Sequence, residues 1–171
     1  PFHTAADAEI KSGEVSDVYF ARTVQILTHT NNRKRVKAEV YLKSLPDDWQ
    51  WGILAGIEEV AALLEGLPVD VKAMDEGLVF EPYQPVLAIE GTYVEWAKFE
   101  TALLGLLCQA SGIATKAARC KKAAGERQVI SFGARRMHPS LAPMIERNAF
   151  IGGCDGVAVT KSAELIDADP M

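Results

Sequence analysis

From Phe99 to Ala124 the chain reads FETALLGLLCQASGIATKAARCKKAA, with no proline to interrupt it. Phe99, Ala102, Leu103, Leu106, Leu107 and Ala110 recur at helical spacing, so this stretch predicts a long, well-buried helix that the rest of the fold must cover. Cys108, inside the apolar run, reads as a small core residue. Ser111-Gly112 is expected to break or bend the helix. A second helix is expected over 114–124, ended by Gly125, with Lys116, Arg119, Lys121 and Lys122 as a solvated basic face.

Before this run the pattern mixes short helices and strands. Residues 4–11 predict a helix capped by Thr4 and closed by Gly13. Ser16-Asp17 opens another, with Val18, Ala21, Val24 and Leu27 or Thr28 along one side and a stop at Asn31-Asn32. Over 36–42, Val36, Ala38, Val40 and Leu42 alternate with Lys37, Glu39 and Tyr41, the mark of a half-buried strand. Pro46-Asp47-Asp48 is a turn, 49–54 a strand, 56–65 a helix, 69–80 strand pieces around a Glu-Gly turn, and 86–90 a further strand. This half predicts an antiparallel sheet with helices on one side.

After Gly125 the rhythm changes to strand (128–132), loop, helix (140–150), Gly152-Gly153, strand (157–160), helix (from 162). That is a parallel α/β unit, with two strands where a barrel needs more. The expected fold class is therefore an α+β N-terminal part followed by the start of a parallel α/β barrel or open sheet. The stop at Asp169-Pro170-Met171 suggests the first part of a larger enzyme.

The chain has 171 residues, 49% hydrophobic, with a net charge of −5. This is a globular composition, and the acidic balance argues against a broad nucleic-acid-binding face. It leaves room for a local basic pocket. No apolar run reaches the length of a membrane span and no signal peptide opens the chain, so a cytoplasmic protein is expected. The three cysteines, Cys108, Cys120 and Cys154, have no C-x-x-C spacing and read as reduced thiols, and no His/Asp/Glu cluster has metal-ligand spacing.

The corner SFGARRMHPSLAP (131–143) sets Arg135 beside Arg136, and neighbouring guanidiniums repel unless an anion or carboxylates neutralise them. SDVYFARTVQIL (16–27), FETALLGLLCQASGIATKAAR (99–119) and ISFGARRMHPSLAPMIERNAFIGGCDGVAVTKSAEL (130–165), taken in order, resemble nicotinate phosphoribosyltransferase, a type II phosphoribosyltransferase. The resemblance covers the whole chain. It implies an α+β, α/β-sandwich-like N-terminal domain over 1–114, the start of a parallel α/β barrel over 115–171, and joining of nicotinate to C1 of phosphoribosyl pyrophosphate (PRPP) in NAD salvage. It further implies Mg²⁺ on the phosphates, a homodimer with a shared active site, and ATP coupling left open, because the strands that would carry it follow Met171. The same segments resemble quinolinate phosphoribosyltransferase. That sister family has an Arg, which holds a substrate carboxylate, at the position of Glu100, and an acid there would repel a second carboxylate. The other readings are therefore a quinolinate or nicotinamide enzyme, or a non-catalytic dimeric binding or scaffold protein.

By this resemblance Phe132 and Tyr19 sandwich the pyridine ring, Tyr19 coming from the partner subunit. Arg135 reaches a phosphate or the pyridine carboxylate, with Arg136 and His138 as further substrate-binding residues. Thr160 and Lys161, expected at the end of a strand, and Lys116 are candidate phosphate contacts. Each has a plainer reading. Phe132 would be a core residue, Tyr19 a residue packed on its own sheet, Arg136 an ion-pair partner of Glu146, His138 a helix-start residue, and Lys161 and Lys116 solvated lysines. Gly152-Gly153 would be either a close approach to ligand or a tight link. His3 and His29 read as surface residues.

Overall fold

Two short helices, α1 (Asp7–Ser12) and α2 (Val18–His29), open the structure, a computed structural model that describes residues 2–171. Ala6, not Thr4, is the N-cap of α1, because Glu9 reaches back to accept the Ala6 N–H at 2.7 Å. Gly13 ends the helix in the left-handed region, at φ 77°. In α2 the buried contact is Phe20, while Val18 is 61% exposed. Of the expected side, Val24 and Leu27 are half-buried beside Phe20, while Val18 and Ala21 are exposed, because the helix docks through Phe20.

Then follow β1 (Arg35–Val40), β2 (Gly52–Ile53), α3 (Ile57–Leu64), β3 (Val69–Ala73), β4 (Val79–Phe80), β5 (Leu87–Thr92) and the single turn α4 (Tyr93–Trp96). The strand phase expected for β1 holds, with Val36, Ala38 and Val40 half-buried and Arg35, Lys37 and Glu39 exposed. β5 lies between β1 and β3 in an antiparallel sheet, with Ala38 opposite Ile89 and Val40 opposite Leu87. β3 and β4 flank the Glu76-Gly77 turn but do not pair with each other; β4 pairs with β2. The strand expected over 49–54 is therefore only two residues long. Helices cover one face of the sheet, and Leu54, Leu63, Phe80, Leu87, Ile89 and Trp96 join one apolar core. On the other face Arg35 bonds Glu90 at 3.0 Å and also reaches Asp70, so that face is a charged, solvated surface.

α5 (Glu100–Ala124) is one helix of 25 residues, running straight through Ser111-Gly112. Ser111 does not break it because its hydroxyl is used elsewhere: it accepts the Ala55 N–H and donates to the Ala55 carbonyl, both at 3.1 Å. One turn on, Thr115 Oγ1 accepts the Ile53 N–H at 2.8 Å. These hydroxyls satisfy a buried backbone segment that has little sheet of its own. Phe99, Leu103 and Leu107 face the core of the sheet, and Ala110 and Ala114 pack on Ile53 and Ala55. Cys108 is exposed, not core; the buried cysteine is Cys154.

β6 (Ile130–Ser131), α6 (Ala142–Ile151), β7 (Gly156–Val157) and α7 (Thr160–Leu165) complete the chain. β6 and β7 pair in parallel, as the strand–helix–strand rhythm predicts, each only two residues long. α6 lies on α5, and Gly152 is the reason it can lie so close. A Cβ there would meet Ala114 O and stand 2.8 Å from Ala117 Cβ. Gly153 follows at φ 100°, so the glycine pair is a tight turn into β7. Among the described residues no helix is long and apolar enough to cross a membrane. Gly152→Ala is expected to destabilise the chain by about 1–3 kcal/mol through overpacking against α5, measurable by chemical denaturation.

Candidate active-site corner

The loop after β6 begins at Phe132 and carries the single 3₁₀ turn Ala134–Arg136. Phe132 is 69% exposed, which removes its reading as a core residue. The Arg135 guanidinium lies 5.7 Å from the centre of the Phe132 ring. Arg135 and Arg136 are both exposed, and among the described residues neither pairs with a carboxylate. The plainer reading of Arg136 fails for a physical reason. Glu146 is 1% exposed, and its Oε2 accepts the Val159 N–H at 2.9 Å, inside the fold and turned to the segment after β7.

His138 is tied to the start of the next helix, in line with its plainer reading. Its Nδ1 accepts the Ser140 N–H at 3.2 Å and lies 2.7 Å from Ser140 Oγ. In the neutral ring that leaves the proton on Nε2, free to donate outward. The Phe2 ring stands edge-on to His138 at 6.0 Å.

Thr160 and Lys161 are not at the end of a strand. β7 stops at Val157, and both residues form the first turn of α7, where Lys161 pairs with Glu164 on the surface. Parallel pairing does put the loops after β6 and β7 at the same end of the sheet.

Tyr19 is placed elsewhere, at the junction of α2, α4 and α5. It is 56% exposed, so it does not pack on its own sheet, and its ring tilts against Phe20 at 4.3 Å. Asp17 accepts from Thr101 Oγ1 at 2.9 Å and donates its N–H back at 3.0 Å, which fixes α2 to the start of α5. Burial pushes the Glu100 carboxyl above its ordinary range, opposed by a hydrogen bond from the Tyr93 hydroxyl. Tyr19 is pushed up by desolvation and by the nearby Asp17 and Glu100. The corner is acidic, and within one chain Tyr19 makes no ring contact with Phe132.

Lys116 belongs to a third cluster. The Arg119 guanidinium is held between two indoles, 3.9 Å from the centre of Trp49 and 4.2 Å from Trp51, and donates to the Trp51 carbonyl at 2.9 Å. Lys116 lies over Trp49 and Lys122 over Trp51. Lys121 instead bonds Asp155. The expected solvated basic face is thus a stacked one. The missed signal was Trp-x-Trp at 49–51, whose partners lie on a distant helix.

Asp155 accepts from Lys121 Nζ at 2.7 Å and from Val129 N at 2.7 Å, so it joins the lead-in of β6 to that of β7. These bonds hold its carboxyl below the ordinary aspartate range. Among the described residues no group of three His, Cys, Asp or Glu side chains is placed to hold a metal ion.

This geometry accompanies clear relationships to known proteins. Residues 17–111 match the quinolinate phosphoribosyl transferase N-terminal domain, and residues 113–168 match the C-terminal domain of the same family. The fold is thus that of a type II phosphoribosyltransferase, and the chain belongs to the quinolinate phosphoribosyl transferase family. It is 30% identical over 145 residues to a nicotinate phosphoribosyltransferase of Mycobacterium tuberculosis, covering 67% of this chain and 32% of that protein. It is 31% identical over 163 residues to that of Dictyostelium discoideum, covering 75% and 28%. The chain therefore spans about a third of the length of these curated relatives. The nicotinate-nucleotide pyrophosphorylase of Pyrococcus furiosus superposes with a TM-score of 0.97 at 56% identity, over 99% of this chain and 44% of that one. Human nicotinic acid phosphoribosyltransferase shares the fold at a TM-score of 0.80 and 22% identity, over 91% and 38%.

Because the folded-state acidity of Asp155 is raised, its contribution is complete above the ordinary aspartate range. It is lost as pH falls through the lowered folded value. Asp155→Asn should lower the thermal midpoint at neutral pH and flatten its fall in acid, as read by calorimetry across pH.

Proposed function

We propose that this chain is the N-terminal portion of a nicotinate phosphoribosyltransferase that forms nicotinate mononucleotide from nicotinate and PRPP. The observation that carries the reading is the corner after β6, where an exposed Phe132 stands beside two exposed guanidiniums without carboxylate partners. A flat heteroaromatic acid and a phosphorylated sugar supply what that corner lacks: a ring to stack and anionic oxygens to bind.

In the reaction the pyridine nitrogen attacks C1 of PRPP and pyrophosphate leaves as positive charge builds on the ribose. The side chains position the ring and hold anions. Phe132 supplies one face of the ring slot. Arg135 holds a phosphate or the pyridine carboxylate, Arg136 supports it, and His138 donates through Nε2. Tyr19, exposed on α2 and apart from Phe132 in its own chain, offers the second face to the corner of another copy in a homodimer. Thr160, Lys161 and Lys116 are secondary phosphate contacts. Mg²⁺ would be carried on the phosphates of PRPP, since among the described residues no group of three His, Cys, Asp or Glu side chains is placed to hold it. The barrel beyond the β6–β7 unit belongs to the same proposal.

Quinolinate is the second reading, favoured by the family match over both parts of the chain. The acidic Glu100–Asp17 corner supports nicotinate, since a second substrate carboxylate would meet like charge there.

Two measurements on the complete protein test the proposal. Nicotinate, nicotinamide and quinolinate are offered separately with PRPP, and product is measured by chromatography. Nicotinate is expected to be preferred, and turnover of quinolinate alone would sink the reading. Phe132→Ala and Arg135→Ala should each lower kcat/KM by about 100-fold while the thermal midpoint stays close to the parent's.

A further inference from the structure

Ala117, Cys120 and Lys121 stand three and four residues apart on α5 and so share one face of it. That face lies against the turn that leads into β7. Ala117 clusters with Ala149 and Cys154 in the buried contact between α5 and α6. A side chain begun at Gly153 would start 3.9 Å from Lys121 Cβ, and Lys121 Nζ holds Asp155 at 2.7 Å. Cys154 thus packs with Ala117, and both of its chain neighbours, Gly153 and Asp155, lie against Lys121, which places it beside the face of α5 that carries Cys120. Cys120 is exposed and Cys154 buried, and both thiols are free. Burial pushes the Cys154 thiol up, and the Cys120 sulfur beside it adds to that push.

We infer that Cys120 and Cys154 are a peroxide-responsive pair that closes into a disulfide across α5 and the turn before β7. The exposed Cys120 sulfur attacks hydrogen peroxide, the O–O bond breaks, one water leaves and a sulfenic acid remains. The Cys154 sulfur then displaces the sulfenic oxygen as a second water, forming the S–S bond. Two thiols lose two electrons and two protons, and one peroxide becomes two waters. Cys108, exposed on the same helix, lies twelve residues before Cys120, about 18 Å along the helix axis. The bond would pin α5 to the lead-in of β7, which already shares Asp155 with the lead-in of β6. This inference does not depend on the proposed reaction.

Trypsin separates the three thiols, with Cys108 in the fragment 99–116, Cys120 in the dipeptide Cys120-Lys121 and Cys154 in the fragment 148–161. The reduced complete protein is treated with stoichiometric hydrogen peroxide, alkylated in denaturant, digested without reductant and read by mass spectrometry. The expected result is fragment 148–161 joined to Cys120-Lys121, reversed by dithiothreitol, with fragment 99–116 alkylated as before. In Cys120→Ser, a substitution at an exposed site, Cys154 should remain fully alkylated after peroxide. The inference fails if Cys120 proceeds to a sulfinic acid while Cys154 stays free. It fails equally if Cys120 pairs with Cys108, or if the link joins two chains on a non-reducing gel.

Discussion

The structure depends on burying α5 along its length against two different partners. Its first half offers Leu103 and Leu107 to the core under the antiparallel sheet. From Ala110 onward the face turns to small residues, so β2 and then α6 approach the helix backbone closely. Ser111 and Thr115 occupy that face and bond the backbone of Ile53 and Ala55. Left unbonded, each of those buried groups would cost about 1–3 kcal/mol. One helix thereby serves as the wall of the sheet domain and as the platform for the parallel unit.

That platform explains how a charged corner is held in the open. Two adjacent guanidiniums on a short loop gain nothing from one another. They persist beside Phe132 because the loop is anchored at both ends. At one end β6 pairs with β7 and Asp155 ties their lead-ins; at the other the His138–Ser140 bonds start α6. Buried Glu146 fixes the segment after β7 at Val159. The acidic corner at Tyr19 and Glu100 is assembled separately, through the reciprocal Asp17–Thr101 bonds. The two corners carry opposite charge, and each leaves an aromatic ring exposed, Tyr19 on one and Phe132 on the other.

Much of the fold was legible because it rests on local periodicity. The alternation in β1, the helical spacing in α5 and the parallel rhythm after Gly125 all survive folding, since each pattern states which side must leave water. Of the candidate site, the 131–143 corner was readable as an oddity of charge and aromaticity within one short segment. The misreadings share a cause. Ser111 looked like a breaker because its hydroxyl's partner, Ala55, lies 56 residues away. Arg119 looked solvated because its indoles come from another part of the chain. Thr160 and Lys161 looked like the end of a strand because nothing local marks where pairing with β6 stops.

By itself the sequence determined the alternation of β1, the apolar spacing of α5, the parallel rhythm after Gly125, and the crowding of aromatic and cationic side chains at 131–143. These follow from the covalent order of side chains, which sets spacing on a helix or strand before any long-range contact forms. Only the tertiary structure decided that Cys154 is buried and Cys108 is not, and that Glu146 turns inward away from Arg136. It also decided that Tyr19 and Phe132 lie apart within one chain. Burial and partnership belong to pairs of residues distant in sequence, and only packing brings those pairs together.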